Sequence, residues 1–423
     1  MSEDQYRRQR QNEYIRRWPV RIATSALINV VGPASAWTIG GNLGLLIYIA
    51  VYIFSKYFAA KISSRSNKGT ILAYRYSALL LVFGGFAPFA EEIIGNGFFI
   101  SSAIVPFLLG SYEGFFWNGY WDICDNHLAK NGWPDEEERK KDLKKQLDNF
   151  QKYEVMCAVA GAMLVVVIDE FGSKIPIQNA GGFIASLIAL ASFIVPWNKD
   201  IIKINDVQLG RKASDLGLNY AKLISQPYAV VQFITVQGMR FAALEYGGIS
   251  ALGMLVAVSE LVGWLFVLYL KRNEEEEVVV DVFSKSNLRI WNLGFLFVIS
   301  GLLGMICGLI IDDFIFVTVG YLIAQCAIRG ILRPYEIKFA KDVLKRESEN
   351  DSPSYIGIRE RLKFKSHIYA VILLVSLWNI LDLSDMMELF VPALLTLGIL
   401  CSVLALSLFS NEKRIQKFSG TSS

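Results

Sequence analysis

The sequence predicts an all-α, polytopic membrane protein with about twelve transmembrane helices, arranged as two parallel six-helix repeats. Three observations lead there: a shortage of charge, a one-sided placement of Lys and Arg between apolar runs, and a loop plan that recurs in the second half. Of the 423 residues, 53% are hydrophobic and 19% charged, and the mean hydropathy is +0.38. A soluble domain carries about 25% charged residues to solvate its surface. Charge-free runs at Ile22–Ser55, Ile175–Asn198, Ile290–Ile311 and Leu389–Asn411 suit a bilayer core of ~30 Å, which takes about 20 helical residues to cross. Disorder, a collagen-like fibre and a soluble enzyme are excluded.

Apolar runs between charged segments give spans near 21–38, 42–60, 71–90, 97–118, 155–170, 178–197, 228–244, 248–270, 290–311, 314–332, 366–383 and 389–410. The first run divides at Gly40-Gly41, because a single helix of that length, at 1.5 Å per residue, overshoots one crossing. With the amino terminus inside, forty of the 42 Lys and Arg fall in inside segments, Lys174 falls outside and Arg240 within a span. Basic residues beside spans set orientation towards the cytoplasm. Both termini are therefore expected to be cytoplasmic and the protein to sit in the cell (inner) membrane. Ala34-Ser35-Ala36, after a basic start and an apolar stretch, has the form of a signal-peptide cleavage site. The long arm before it favours a retained first span, with Arg16-Arg17-Trp18 as an interfacial anchor.

The loop plan repeats. Gly40-Gly41 and Gly247-Gly248 join spans one to two and seven to eight, and the acidic pairs Glu91-Glu92 and Asp312-Asp313 join three to four and nine to ten. The longest inside loops, 119–154 and 333–365, follow spans four and ten. This divides the chain into an N-terminal bundle (1–197), an inside linker (198–227) and a C-terminal bundle (228–423). In loop 119–154, Pro134 followed by acids is a helix start signal, giving a short cytoplasmic helix through Phe150. The Gly-x-x-x-Gly at 304–308 on span nine reads as close helix packing.

Five scattered cysteines without a CxxC pair and two histidines suggest neither a disulfide framework nor a metal centre. A net charge of +3 does not point to nucleic acid. No Walker loop, HExxH or Gly-x-Ser-x-Gly motif occurs, so no cofactor and no enzymatic activity are expected. Ionisable groups inside spans cost about 2.5–3.5 kcal/mol each on insertion scales, which makes them functional candidates. They are Glu113 on span four, Arg240 on span seven and Glu260 on span eight. Each also has a structural reading. Glu113 and Arg240 could form a buried ion pair, and a protonated Glu260 could bond a neighbouring backbone.

Beyond the loop plan, the stretch Ala60–Gly69 carries Arg65 and Lys68 after span two. Span four ends through Gly110-Ser111-Tyr112-Glu113-Gly114, Trp121-Asp122 and Asn131-Gly132. In layout and in these stretches the chain resembles the major facilitator superfamily. Arg65 and Lys68 match that family's basic loop motif, while Ala60, Ser64 and Asn67 stand where it has Gly, Asp and Gly. The resemblance implies that spans one, four, seven and ten line a central cavity. Asn29, Tyr112, Glu113, Gln232, Gln237, Arg240, Tyr321 and Gln325 would then lie along it, with Glu260 close by. The expected function is secondary active transport of a small organic solute by alternating access, with protons as the coupling ion, in a monomer surrounded by lipid. A lipid-linked saccharide flippase and a non-transporting scaffold are the alternatives.

Overall fold

The computed structural model describes residues 2–63, 67–120, 123, 136–171, 177–198, 215–272, 285–337, 339 and 355–409. Among the described residues every regular element is helical. Eight helical stretches are long and apolar enough to cross a membrane, and two of them, Glu3–Ser63 and Ile224–Tyr269, run to 61 and 46 residues. Both are broken at a glycine. Gly41 takes φ 57°, ψ −150°, and Gly248 takes φ 65°, ψ −151°. This region of backbone space is essentially closed to residues with a Cβ. At the first break the chain turns back on itself: a Cβ at Gly32 would meet the Tyr48 hydroxyl, whereas sixteen residues of continuous helix would hold the two about 24 Å apart. Counting each broken stretch as two, and adding the second part of Glu136–Phe171 and the shorter apolar helix Asn179–Phe193, the described residues contain twelve apolar helical segments.

The turns between spans three and four and between nine and ten are also built alike. Gly95 adopts φ 70° and is followed by Asn96, whose side chain accepts from the Phe99 N–H. Asp312 adopts φ 55° and is followed by Asp313, whose side chain accepts from the Ile315 N–H. A left-handed residue reverses the chain, and a capping side chain satisfies an orphan donor of the next helix. The span three to four turn thus lies just beyond Glu91-Glu92, at Gly95-Asn96. Matching backbone devices at matching places confirm two repeats of six spans.

The chain forms two compact units. One comprises Met1–Arg211, Gly247–Glu260 and Ile356–Phe364; the other comprises Lys212–Tyr246, Leu261–Tyr355 and Lys365–Ser423. In the first, Gly110 and Gly114 seat span four directly on the backbone of span two: a Cβ at either would come within 2.3 Å of the Tyr52 or Lys56 carbonyl oxygen. In the second, Gly301 and Gly308 of span nine play this part against Gly320 and Val317 of span ten, as the Gly-x-x-x-Gly spacing suggested.

Three expectations change. The amino-terminal arm is a helix, Glu3–Thr24, continuous with span one. Its Arg10, Glu13, Arg16 and Arg17 are buried, so Arg16 and Arg17 turn into the unit rather than towards headgroups. Arg16 donates to the Arg75 carbonyl at 2.5 Å and Arg17 to the Tyr120 hydroxyl at 2.9 Å. Trp18 stays partly exposed and packs on Tyr153, with ring centroids 4.4 Å apart. Secondly, the helix expected to end near Phe150 continues without a break to Phe171, since Gln151-Lys152-Tyr153-Glu154 contains no Gly or Pro to stop it. Thirdly, the helix of span seven begins at Asp215, within the expected linker. Residues 199–214 and Arg65 lie outside the described residues.

Spans one, four and ten each contain a π-helical stretch: Ser25–Val31, Ile100–Ile104 and Ala327–Leu332. A π turn adds a residue and rotates the following side chains, and such turns gather at functional sites. Asn29 and Tyr112 lie within or after the first two, and Arg329 lies within the third.

Candidate solute and proton site

Span two presents Tyr52 and Lys56 one helical turn apart, on the face where Gly110 and Gly114 bring span four close. Glu113, between these two glycines, meets both side chains. The Lys56 ammonium lies 2.5 Å from Glu113 Oε2, and the Tyr52 hydroxyl donates to the same oxygen. The Lys56 charge also faces the Phe364 ring at 4.6 Å. All of this is nearly closed to solvent: the Lys56 and Glu113 side chains are 14% and 11% exposed. A cation and a phenol thus answer the Glu113 carboxyl inside the span.

A second ion pair lies in the same unit. Arg21 Nε lies 3.3 Å from Glu154 Oε1, joining the start of span one to span five. Tyr112, fully buried, shares a 2.7 Å hydrogen bond with Thr24 of span one. Of the expected residues, Glu113 thus meets Lys56 and Tyr112 meets Thr24 of span one, and Glu260 is buried in the same unit. Asn29 lies half-buried in the π stretch of span one.

In the second unit, Arg240 donates to Gln237 one turn away at 3.3 Å, and both are buried. Phe233 of that helix stacks on His367 of span eleven with centroids 5.2 Å apart. Gln232 is half-buried on span seven. On span ten, Tyr321 and Gln325 are buried, and Gln325 accepts from Arg329 Nε at 3.1 Å. Lys68 lies in the first turns of the helix Asn67–Phe86.

Lys56, Arg21, Glu154 and Arg329 are absent from the expectations drawn on sequence. Each lies near a span end, and charge bookkeeping assigns such residues to the adjoining loop. Helical arithmetic carried the signal: Lys56 follows the Gly41 break by fifteen residues and Glu113 follows Gly97 by sixteen, so both lie about 22–24 Å along their helices from the same side.

No protein-family model matches the sequence, and no curated protein matches it. Among solved structures, the chain is similar to one described as an auto-inhibited POT family peptide transporter, with a TM-score of 0.60 and 12% identity, covering 99% of this chain and 97% of that one. At that identity the likeness speaks for the fold alone, and over its whole length the chain has the major facilitator-type fold of that transporter.

Proposed function

We propose that the protein is a secondary active transporter that moves a small organic solute by alternating access, driven by protons that bind at Glu113. The carrying observation is the buried Lys56–Glu113–Tyr52 cluster between spans two and four, in the same unit as the Arg21–Glu154 pair. An embedded carboxylate is costly unless a partner answers it, and here the partner is Lys56. A change at span two that withdrew Lys56 would leave Glu113 Oε2 open to a proton. Proton uptake is thereby tied to the arrangement of the helices, which is what coupling requires.

The full-length likeness to a solved peptide transporter fold and the paired backbone devices of the two halves support the transport class, since parallel repeats of six spans are an established transporter plan. The protein would lie in the cell membrane with its basic loops, and both termini, in the cytoplasm.

The test is a solute screen on the protein reconstituted in vesicles under an imposed pH gradient, followed by Glu113→Gln. The account expects gradient-driven accumulation to fall at least about tenfold in Glu113→Gln, while solute exchange without a gradient persists. Wild-type accumulation in Glu113→Gln would remove the coupling role.

A further inference from the structure

Where span six ends, the chain is caught by the amino-terminal helix. The helix of span six tightens into a 3₁₀ turn at Ala191–Phe193, and Pro196 then bars a further helical turn. Asn12 Nδ2 donates to the Pro196 carbonyl at 3.4 Å, and the Asn198 N–H donates to Gln9 Oε1 at 3.0 Å. Trp197 is thus tied down on both sides, and its ring lies against Tyr74 of span three with centroids 5.9 Å apart. Two guanidinium groups face this ring, Arg75 at 5.1 Å and Arg16 at 5.8 Å from its centroid.

The two cations are answered differently. Arg16 lies 3.7 Å from Glu13 and donates to the Arg75 carbonyl, while Glu13 also accepts from Gln9 and Tyr74. Arg75 meets rings, those of Trp197 and of Tyr76 at 5.6 Å. A ring attracts the charge but supplies no oxygen for the N–H groups. Arg75 Nη1 is buried and has no hydrogen-bond partner among the described residues, and the same holds for Trp197 Nε1. Buried donors in folded proteins are paired, so two that the chain leaves unpaired call for a partner from outside it. A guanidinium and an indole N–H offer donors only, and their complement is an oxyanion. The surroundings say which. Tyr76, Phe193 and Ile194, in the same two segments, are exposed, Ile194 by 83%. Such an apolar rim suits acyl chains rather than a dissolved ion. Trp, Tyr and Arg at span ends on the side of the basic loops also stand at headgroup level. We propose that Arg75 and Trp197 bind the phosphate of a phospholipid in the leaflet on that side. The site is separate from the transport reading and does not depend on it.

The test uses the purified full-length protein in a non-ionic detergent, with thermal unfolding followed against three probes. Dioctanoyl phosphatidylglycerol carries chains and phosphate, dioctanoylglycerol the chains alone, and inorganic phosphate the anion alone. The phospholipid should raise the unfolding temperature well above either of the others. Arg75→Gln should weaken its binding ~tenfold or more, the loss of a charge-assisted contact, and Arg75→Lys, which keeps the charge, should weaken it less. Trp197→Phe keeps a ring and loses the N–H, and should weaken binding ~threefold or more. If dioctanoylglycerol stabilises as well as the phospholipid, or if either Arg75→Gln or Trp197→Phe binds as wild type, the inference is overturned. Equal stabilisation by inorganic phosphate would make this a site for a free anion and overturn the lipid assignment.

Discussion

Lys56 and Glu113 show how far the energetics of an embedded charge depend on its partner. Each alone is a charge facing hydrocarbon; together, with the Tyr52 hydroxyl, they satisfy one another behind the backbone of spans two and four. Removing one partner of a buried pair typically costs about 3–5 kcal/mol, whereas replacing both with apolar residues is often neutral. Lys56→Met should therefore markedly lower the unfolding temperature, and Lys56→Met with Glu113→Leu should recover most of the loss. Two single changes that are harmless, or a double change that simply adds them, would show that the pair contributes no coupling. Glu113 was legible in the sequence because it lies deep in a charge-free surround. Lys56 was not, since five residues on from it the chain reaches Lys61 and a basic loop. A lysine near a span end has the same composition signature whether it reaches into solvent or back towards a carboxylate.

At the scale of elements, the two glycine breaks carry the fold. Gly41 and Gly248 adopt nearly the same backbone conformation, one that a Cβ strains by roughly 1–3 kcal/mol. No neighbour lies within 4 Å of a Cβ built at either position, so Gly41→Ala and Gly248→Ala isolate the backbone effect. Each should lower the unfolding temperature by a similar amount, and a neutral result at either would contradict the hairpin geometry. Both breaks were readable from Gly pairs in charge-free runs. The helical arm and the long helix into span five were less so. The arm's mean composition is polar, and its ordering depends on Tyr74, Arg75 and Tyr120, distant in sequence. The π stretches had no local signature at all; Ser25–Val31 reads as ordinary apolar helix.

At the scale of the molecule, span count and repeat plan followed from where forty basic residues fall, a pattern imposed by membrane insertion rather than by packing. The site is only partly written in that pattern, because packing decides which charges meet. Glu113, Tyr112 and Glu260 were foreseeable as embedded polar groups. That Lys56 would join them depended on glycines at 110 and 114 drawing spans two and four together, and the Arg21–Glu154 pair on Gly161 drawing span five onto span one. What the account claims above all is that such residues border a path opening in turn to each face of the membrane. The most direct measurement places single cysteines at Gln232 and Gln325, in a background free of the five native cysteines, and applies membrane-impermeant thiol reagents to sealed vesicles from one side at a time. Alternating access predicts labelling of both positions from either side, slowed by transported solute. Labelling from one side only, or from neither, would contradict it.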